Sequence, residues 1–139
     1  MWRKRLAVAL RVAIGTILLA TAVGKLLDVS GFARVLATYK ALPEASLLPL
    51  ALAVPLFELA LAIWLYWGRA LVGAALASTL MHAAYVAWSW AALARGLHLP
   101  NCGCFGVFLA RPLTWATVVE DLVLAAASLA LLALARRSA

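Results

Sequence analysis

Four long apolar runs, at about residues 6–27, 47–67, 71–94 and 113–135, occupy most of this chain and restrict what it can fold into more than any other feature. Each is long enough to cross a bilayer, because a hydrocarbon core of about 30 Å takes roughly 20 helical residues. Inside lipid every backbone N–H and C=O must be satisfied internally, so only helices or closed barrels span. The runs lack the alternation of barrel strands, which leaves an all-α, integral membrane four-helix bundle, one four-span domain over residues 1–139. Composition agrees: 68% of the 139 residues are apolar and 12% are charged, against about 45–50% and 25% in soluble domains. A soluble globule and a disordered chain are both excluded.

The formal charge of +7 would suggest nucleic acid in a soluble protein, but its placement points to the lipid bilayer as partner and to no nucleic acid. With four spans both termini share a side. Arg3, Lys4, Arg5, Arg69, Arg136 and Arg137 fall there, against Arg34, Lys40, Arg95 and Arg111 opposite. The positive-inside rule makes the termini cytoplasmic and turns the connections at about 28–46 and 95–112 outward. Tyr39, Trp64, Tyr66, Trp67, Trp88, Trp90 and Trp115 lie near the expected span ends, as an aromatic belt requires. The first run has a basic start and the small triplet Ala20, Thr21, Ala22, as a signal peptide does. Arg11 interrupts it and it continues to Lys25, so it is expected to be an uncleaved span. Small residues such as Gly73, Ala77, Ala125 and Ala126 permit close helix approach, within one chain or in a homo-oligomer.

The only two cysteines, Cys102 and Cys104, share a turn rich in Pro, Asn and Gly between the third and fourth runs. Residues two apart are separated by at most about 7 Å, and a bend at Gly103 brings them within disulfide reach. A static staple across so short a loop would remove little chain entropy, whereas a small strained ring is of the labile, exchanging kind. The pair is therefore read as catalytic in thiol–disulfide exchange, with Arg95, His98 and Arg111 near enough in sequence to favour thiolate. The rival reading is a carrier of copper, zinc or mercury using Cys102, Cys104 and His98 as ligands, since thiolates select soft ions. The single intervening residue is fewer than closed zinc sites commonly have.

Five ionisable residues fall in or near the runs: Arg11, Lys25, Glu58, Glu120 and Asp121. Arg11 and Lys25 can snorkel to the two faces. Glu58 lies roughly 13 Å inside the layer, counting from Trp67, where a lone carboxylate is costly. Arg11, at a depth of about 8 Å from the same side, is its expected partner, as a structural lock or a proton-linked pair. If Thr114 caps the fourth span, Glu120 and Asp121 lie within the outer leaflet and Lys25 can neutralise one of them. If Thr117 does, it forms a capping box with Glu120 at the surface. His82, mid-span, is expected to hydrogen-bond between helices, with a quinone headgroup as its weaker, cofactor-binding reading.

The string Cys102, Gly103, Cys104, Phe105, Gly106, with Arg11, Gly15, Gly24, Lys25, Asp28, Phe32, Tyr39, Pro43 and Glu58, resembles the methylamine-utilisation MauE family of DoxX-like membrane proteins over nearly the whole chain. The family pattern has a basic residue before the acidic one on the last span; this chain has Glu120 before Asp121. The resemblance implies a bacterial inner-membrane protein engaged in periplasmic redox work beside a thioredoxin-like partner, in the maturation of the disulfide-rich small subunit of methylamine dehydrogenase. A single dithiol on one face cannot relay electrons across the bilayer to a second pair. The expected activity is exchange with that partner, with coupling to a quinone as an added route.

Overall fold

Leucine, alanine and valine favour long helices once lipid removes water as a competitor for backbone hydrogen bonds. The computed structural model describes residues 1–139 as five helices and no strands: α1 (Trp2–Leu26), α2 (Val29–Thr38), α3 (Glu44–Trp67), α4 (Leu71–Ala94) and α5 (Trp115–Ser138). All but α2 are long and apolar enough to cross a membrane, each about 36 Å end to end. The chain is thus an all-α, multi-pass membrane protein. Leu52, Leu56, Ile63, Leu80 and Leu129 point outward and stay exposed, as a lipid-facing surface requires.

The principal packing pairs are α1 with α3 and α4 with α5, and the core joins Ile14, Leu18, Leu61, Leu65, Ala74, Ala75 and Leu131. Lipid is as apolar as leucine, so close approach and polar links must hold the helices together. Gly15 lies under the ring of Tyr66 and Gly73 against Trp64. Between α4 and α5, the hydroxyls of Ser78 and Ser128 meet at 2.7 Å.

The segment read as a plain connection at about 28–46 holds a helix. Asp28 caps α2, its Oδ1 accepting from the Gly31 N–H at 2.8 Å. Helix α2 buries Gly31 and Phe32 and packs on α3. A second apolar cluster, Tyr39, Ala92, Leu99, Cys102 and Leu113, joins the end of α2 to the loop before α5. This end of the bundle carries the cysteines. At the opposite end Gly68, in the left-handed region, terminates α3.

Candidate functional site

The cysteine loop is closed by backbone bonds from Leu113 N–H to the Leu99 carbonyl (2.9 Å) and from Cys102 N–H to the Arg111 carbonyl (2.7 Å). Within it, Asn101 Oδ1 accepts from Gly103 N–H at 2.9 Å and Asn101 Nδ2 donates to the Gly106 carbonyl at 3.0 Å. Gly103 and Gly106 adopt φ values of +83° and +74°, a region that residues with a Cβ rarely enter. The chain therefore folds back on itself and places the sulfurs of Cys102 and Cys104 2.6 Å apart, both as free cysteines. From α2, Tyr39 donates its hydroxyl to the Cys102 carbonyl at 2.5 Å. The Tyr39 ring packs on Trp88 with centroids 5.0 Å apart, and Arg95 Nη2 donates to the Tyr39 carbonyl at 2.6 Å.

These surroundings divide the two thiols. The Cys104 thiol, its backbone N–H and the Arg111 guanidinium all favour negative charge on Cys102. Together they outweigh its burial and lower its pKa to about 7. Cys104 is pushed the other way, because its proton is held toward Cys102 and burial disfavours a second thiolate beside the first. Cys102 carries the charge, and Cys104 is the residue with more exposed surface. The rate at which a small uncharged reagent alkylates Cys102 should rise with pH through a midpoint near 7. In Cys104→Ala the midpoint should move up toward the ordinary thiol value of about 8.5, with at least a roughly tenfold loss of rate at neutral pH. An unchanged midpoint would show that Cys104 does not hold the thiolate.

Beneath the loop lies a cavity of about 660 Å³, lined mainly by apolar side chains of α1 to α5, with the dithiol in its wall. Lys25 and Glu58 meet there: the ammonium donates to both carboxylate oxygens, at 2.7 and 2.9 Å. Tyr85 donates its hydroxyl to Glu58 Oε1 at 2.5 Å. Lys25 is 4% exposed and Glu58 0%, a degree of burial that demands pairing. This corrects the expected pairing of Glu58 with Arg11. Arg11 lies at the far end against Gly68, where a Cβ would collide with its Nη1, and its Nε is buried without a partner. Depth counted from the ends of two separate runs does not fix their register; in the packed pair Arg11 is level with Gly68, and Glu58 is level with the end of α1.

Lys25 makes no ion pair with either carboxylate on α5. Arg111 forks onto Glu120 at 2.9 and 2.5 Å, and Asp121 accepts from Ser89 Oγ at 3.3 Å. Thr114 is the N-cap of α5, and Thr117 Oγ accepts from the Thr114 N–H at 3.2 Å, so the alternative capping box of Thr117 with Glu120 does not form. Glu120 is exposed, while Asp121 is half-buried and lines the cavity.

His82, 2% exposed, does not bridge two helices. Its Nδ1–H donates to the Ser78 carbonyl of its own helix at 2.8 Å, and the link to α5 passes through the Ser78 and Ser128 hydroxyls. The ring lines the cavity beside Tyr85. His98 is exposed and outside the cavity lining, and no group of three His, Cys, Asp or Glu side chains is arranged to hold a metal. Cys102, Cys104 and His98 therefore do not form the ligand set of the carrier reading.

Tyr39 and Trp88 are not belt residues: Tyr39 is 2% exposed, and both rings wall the cavity. Sequence reasoning also missed Tyr85, Ser89 and Asn101. Ser78, His82, Tyr85 and Ser89 recur at spacings of 4, 3 and 4 residues, which puts them on one helical face. That polar stripe on an otherwise apolar span was the available signal.

Comparison with known proteins places the chain. The family described as "Methylamine utilisation protein MauE" matches residues 3–134. A protein of Paracoccus denitrificans named "Methylamine utilization protein MauE" is 32% identical over 123 residues, 88% of this chain and 66% of that protein. The chain thus spans slightly less than two thirds of that relative's length. No solved structure matches it.

Proposed function

The chain belongs to the MauE family, and from that premise we propose that it serves methylamine utilisation by thiol–disulfide exchange at the periplasmic face of a bacterial inner membrane. The partner is a thioredoxin-like protein, and the substrates are exported disulfide proteins of the type of the methylamine dehydrogenase small subunit. The observation that carries this reading is the mutual approach of Cys102 and Cys104, 2.6 Å between sulfurs, on a loop whose glycines and Asn101 dictate that approach. The orientation is supported by the cations: six lie at the termini and the turn between α3 and α4, against four in α2 and the connections at the cysteine end.

In the oxidising direction, a thiolate of the partner attacks Cys104, the more exposed residue of the oxidised pair. The Cys102–Cys104 bond breaks and a partner–Cys104 disulfide forms. The electron pair leaves on Cys102, the better leaving group because its thiolate is stabilised. The partner's second thiol then resolves the mixed disulfide, gives up its proton and departs oxidised, leaving the dithiol on this protein.

Cys102→Ser and Cys104→Ser, expressed separately and quenched in acid, test this. Cys102→Ser should accumulate a covalent adduct with a thioredoxin-like protein, separable on a nonreducing gel and identifiable by mass spectrometry. Cys104→Ser, which retains only the more buried cysteine, should accumulate much less. The reading fails if neither variant forms an adduct and both leave the oxidation state of the exported substrates unchanged.

A further inference from the structure

We propose that the cavity beneath the dithiol receives the head group of a membrane-soluble quinone, which oxidises Cys102 and Cys104 after each exchange; this rests on the thiol-exchange reading above. An exchanging dithiol that has oxidised its partner must itself lose two electrons. The chain holds no other cysteine to pass them to. The acceptor must therefore reach the pair from elsewhere, and the cavity that both cysteines line lies among the membrane-spanning helices. The reaction balances without any further reagent. Cys102 and Cys104 give up two electrons and two protons as their S–S bond forms, and the quinone takes both to become a quinol.

The cavity has the properties this acceptor needs. Its volume of about 660 Å³ lies within the span of about 300–1,000 Å³ usual for small-molecule sites. Tyr39 and Trp88 form an aromatic wall against which a flat ring can pack, and Tyr39 is tied directly to Cys102 through the peptide carbonyl. Leu36, Leu50 and Val54 supply apolar surface for a ring substituent or tail. Polar groups are few. Lys25 uses two of its three N–H bonds on Glu58, which leaves the third to donate to a quinone carbonyl. His82 commits Nδ1 to the Ser78 carbonyl, so its other ring nitrogen is free to accept from a quinol hydroxyl. A donor for the oxidised ligand and an acceptor for the reduced one thus line the same space.

The test is anaerobic reduction of a short-chain ubiquinone by the reduced full-length protein in lipid nanodiscs. Quinone loss is followed by ultraviolet absorbance, and thiol loss by alkylation and mass spectrometry. The expected result is one quinol per disulfide formed. Val54→Trp and Leu124→Trp fill the cavity from α3 and from α5. Each should slow quinone reduction by about a hundredfold, the penalty of a reactant displaced by roughly 1 Å, while exchange with oxidised glutathione keeps its rate. An azidoquinone should also photolabel cavity-lining peptides of the unaltered protein and be competed by the short-chain ubiquinone. No quinol and no competed label, with glutathione exchange and the partner adduct intact, overturns the quinone site and leaves thiol exchange standing. Absence of glutathione exchange and of the adduct overturns the reading beneath it. Quinone reduction unaffected by both tryptophans, with labelling elsewhere, overturns the cavity as its site.

Discussion

Replacing Lys25 by methionine is expected to destabilise the folded bundle by about 3–5 kcal/mol, the cost of stranding one member of a buried ion pair. The ammonium is the only cation bonded to Glu58, whose carboxylate is 0% exposed and whose remaining partner is the neutral hydroxyl of Tyr85. Glu58→Leu should cost a comparable amount, because it strands the ammonium between the rings of Phe32 and Tyr85. The double variant Lys25→Met with Glu58→Leu should recover most of the loss, since apolar groups of similar volume carry no desolvation cost. Thermal unfolding of the four proteins in one detergent provides the cycle. Additive losses would show that the two side chains do not stabilise each other. Single-variant losses below about 1 kcal/mol would show that the pair is as well solvated as one at a surface.

That pair also marks how far the sequence could be read. The number of spans follows from runs of about 20 apolar residues, because the thickness of the bilayer turns length directly into topology. The approach of the two sulfurs was equally legible: only two cysteines occur, and one glycine between them permits their contact. What could not be read was the register between helices. Arg11 lies level with Gly68, ten residues along α3 from Glu58, and only the packing of α1 on α3 decides that Lys25 is the residue level with Glu58. Helix α2 was missed for a related reason. Residues 29–38 are too short to span, and their apolar face is matched to α3 rather than to lipid. Tyr39 and Trp88 sit near helix ends, where aromatic residues usually mark the interface; folding α2 back over the bundle converts that end into an interior. The stripe of Ser78, His82, Tyr85 and Ser89 is visible as a period, but spacing alone does not tell that this face turns toward Glu58 and Asp121.

Gly106→Ala is expected to disable the dithiol while leaving the helices formed, because of a contact that only two glycines can make. A Cβ on Gly106 would run into the Gly24 carbonyl, and a Cβ on Gly24 would run into the Phe105 carbonyl. The end of α1 and the cysteine loop therefore touch backbone to backbone, immediately beside Lys25 in one segment and Cys104 in the other. Neither side can yield by rotating a side chain; the loop must lift. Gly106 also has φ +74°, which costs a residue with a side chain about 1–2 kcal/mol. Gly96 separates the two effects. Its φ is +76°, but a Cβ there meets nothing within 4 Å, so Gly96→Ala carries the backbone cost without the collision. Alkylation of Cys102 as a function of pH is the measurement. Gly96→Ala should keep the midpoint near 7. Gly106→Ala and Gly24→Ala should move it upward and slow exchange with oxidised glutathione by about tenfold or more, the equivalent of roughly 1.4 kcal/mol, with circular dichroism unchanged. If Gly96→Ala and Gly106→Ala behaved alike, backbone conformation alone would account for both glycines. The loop would then hold the thiols in place without its seat on α1.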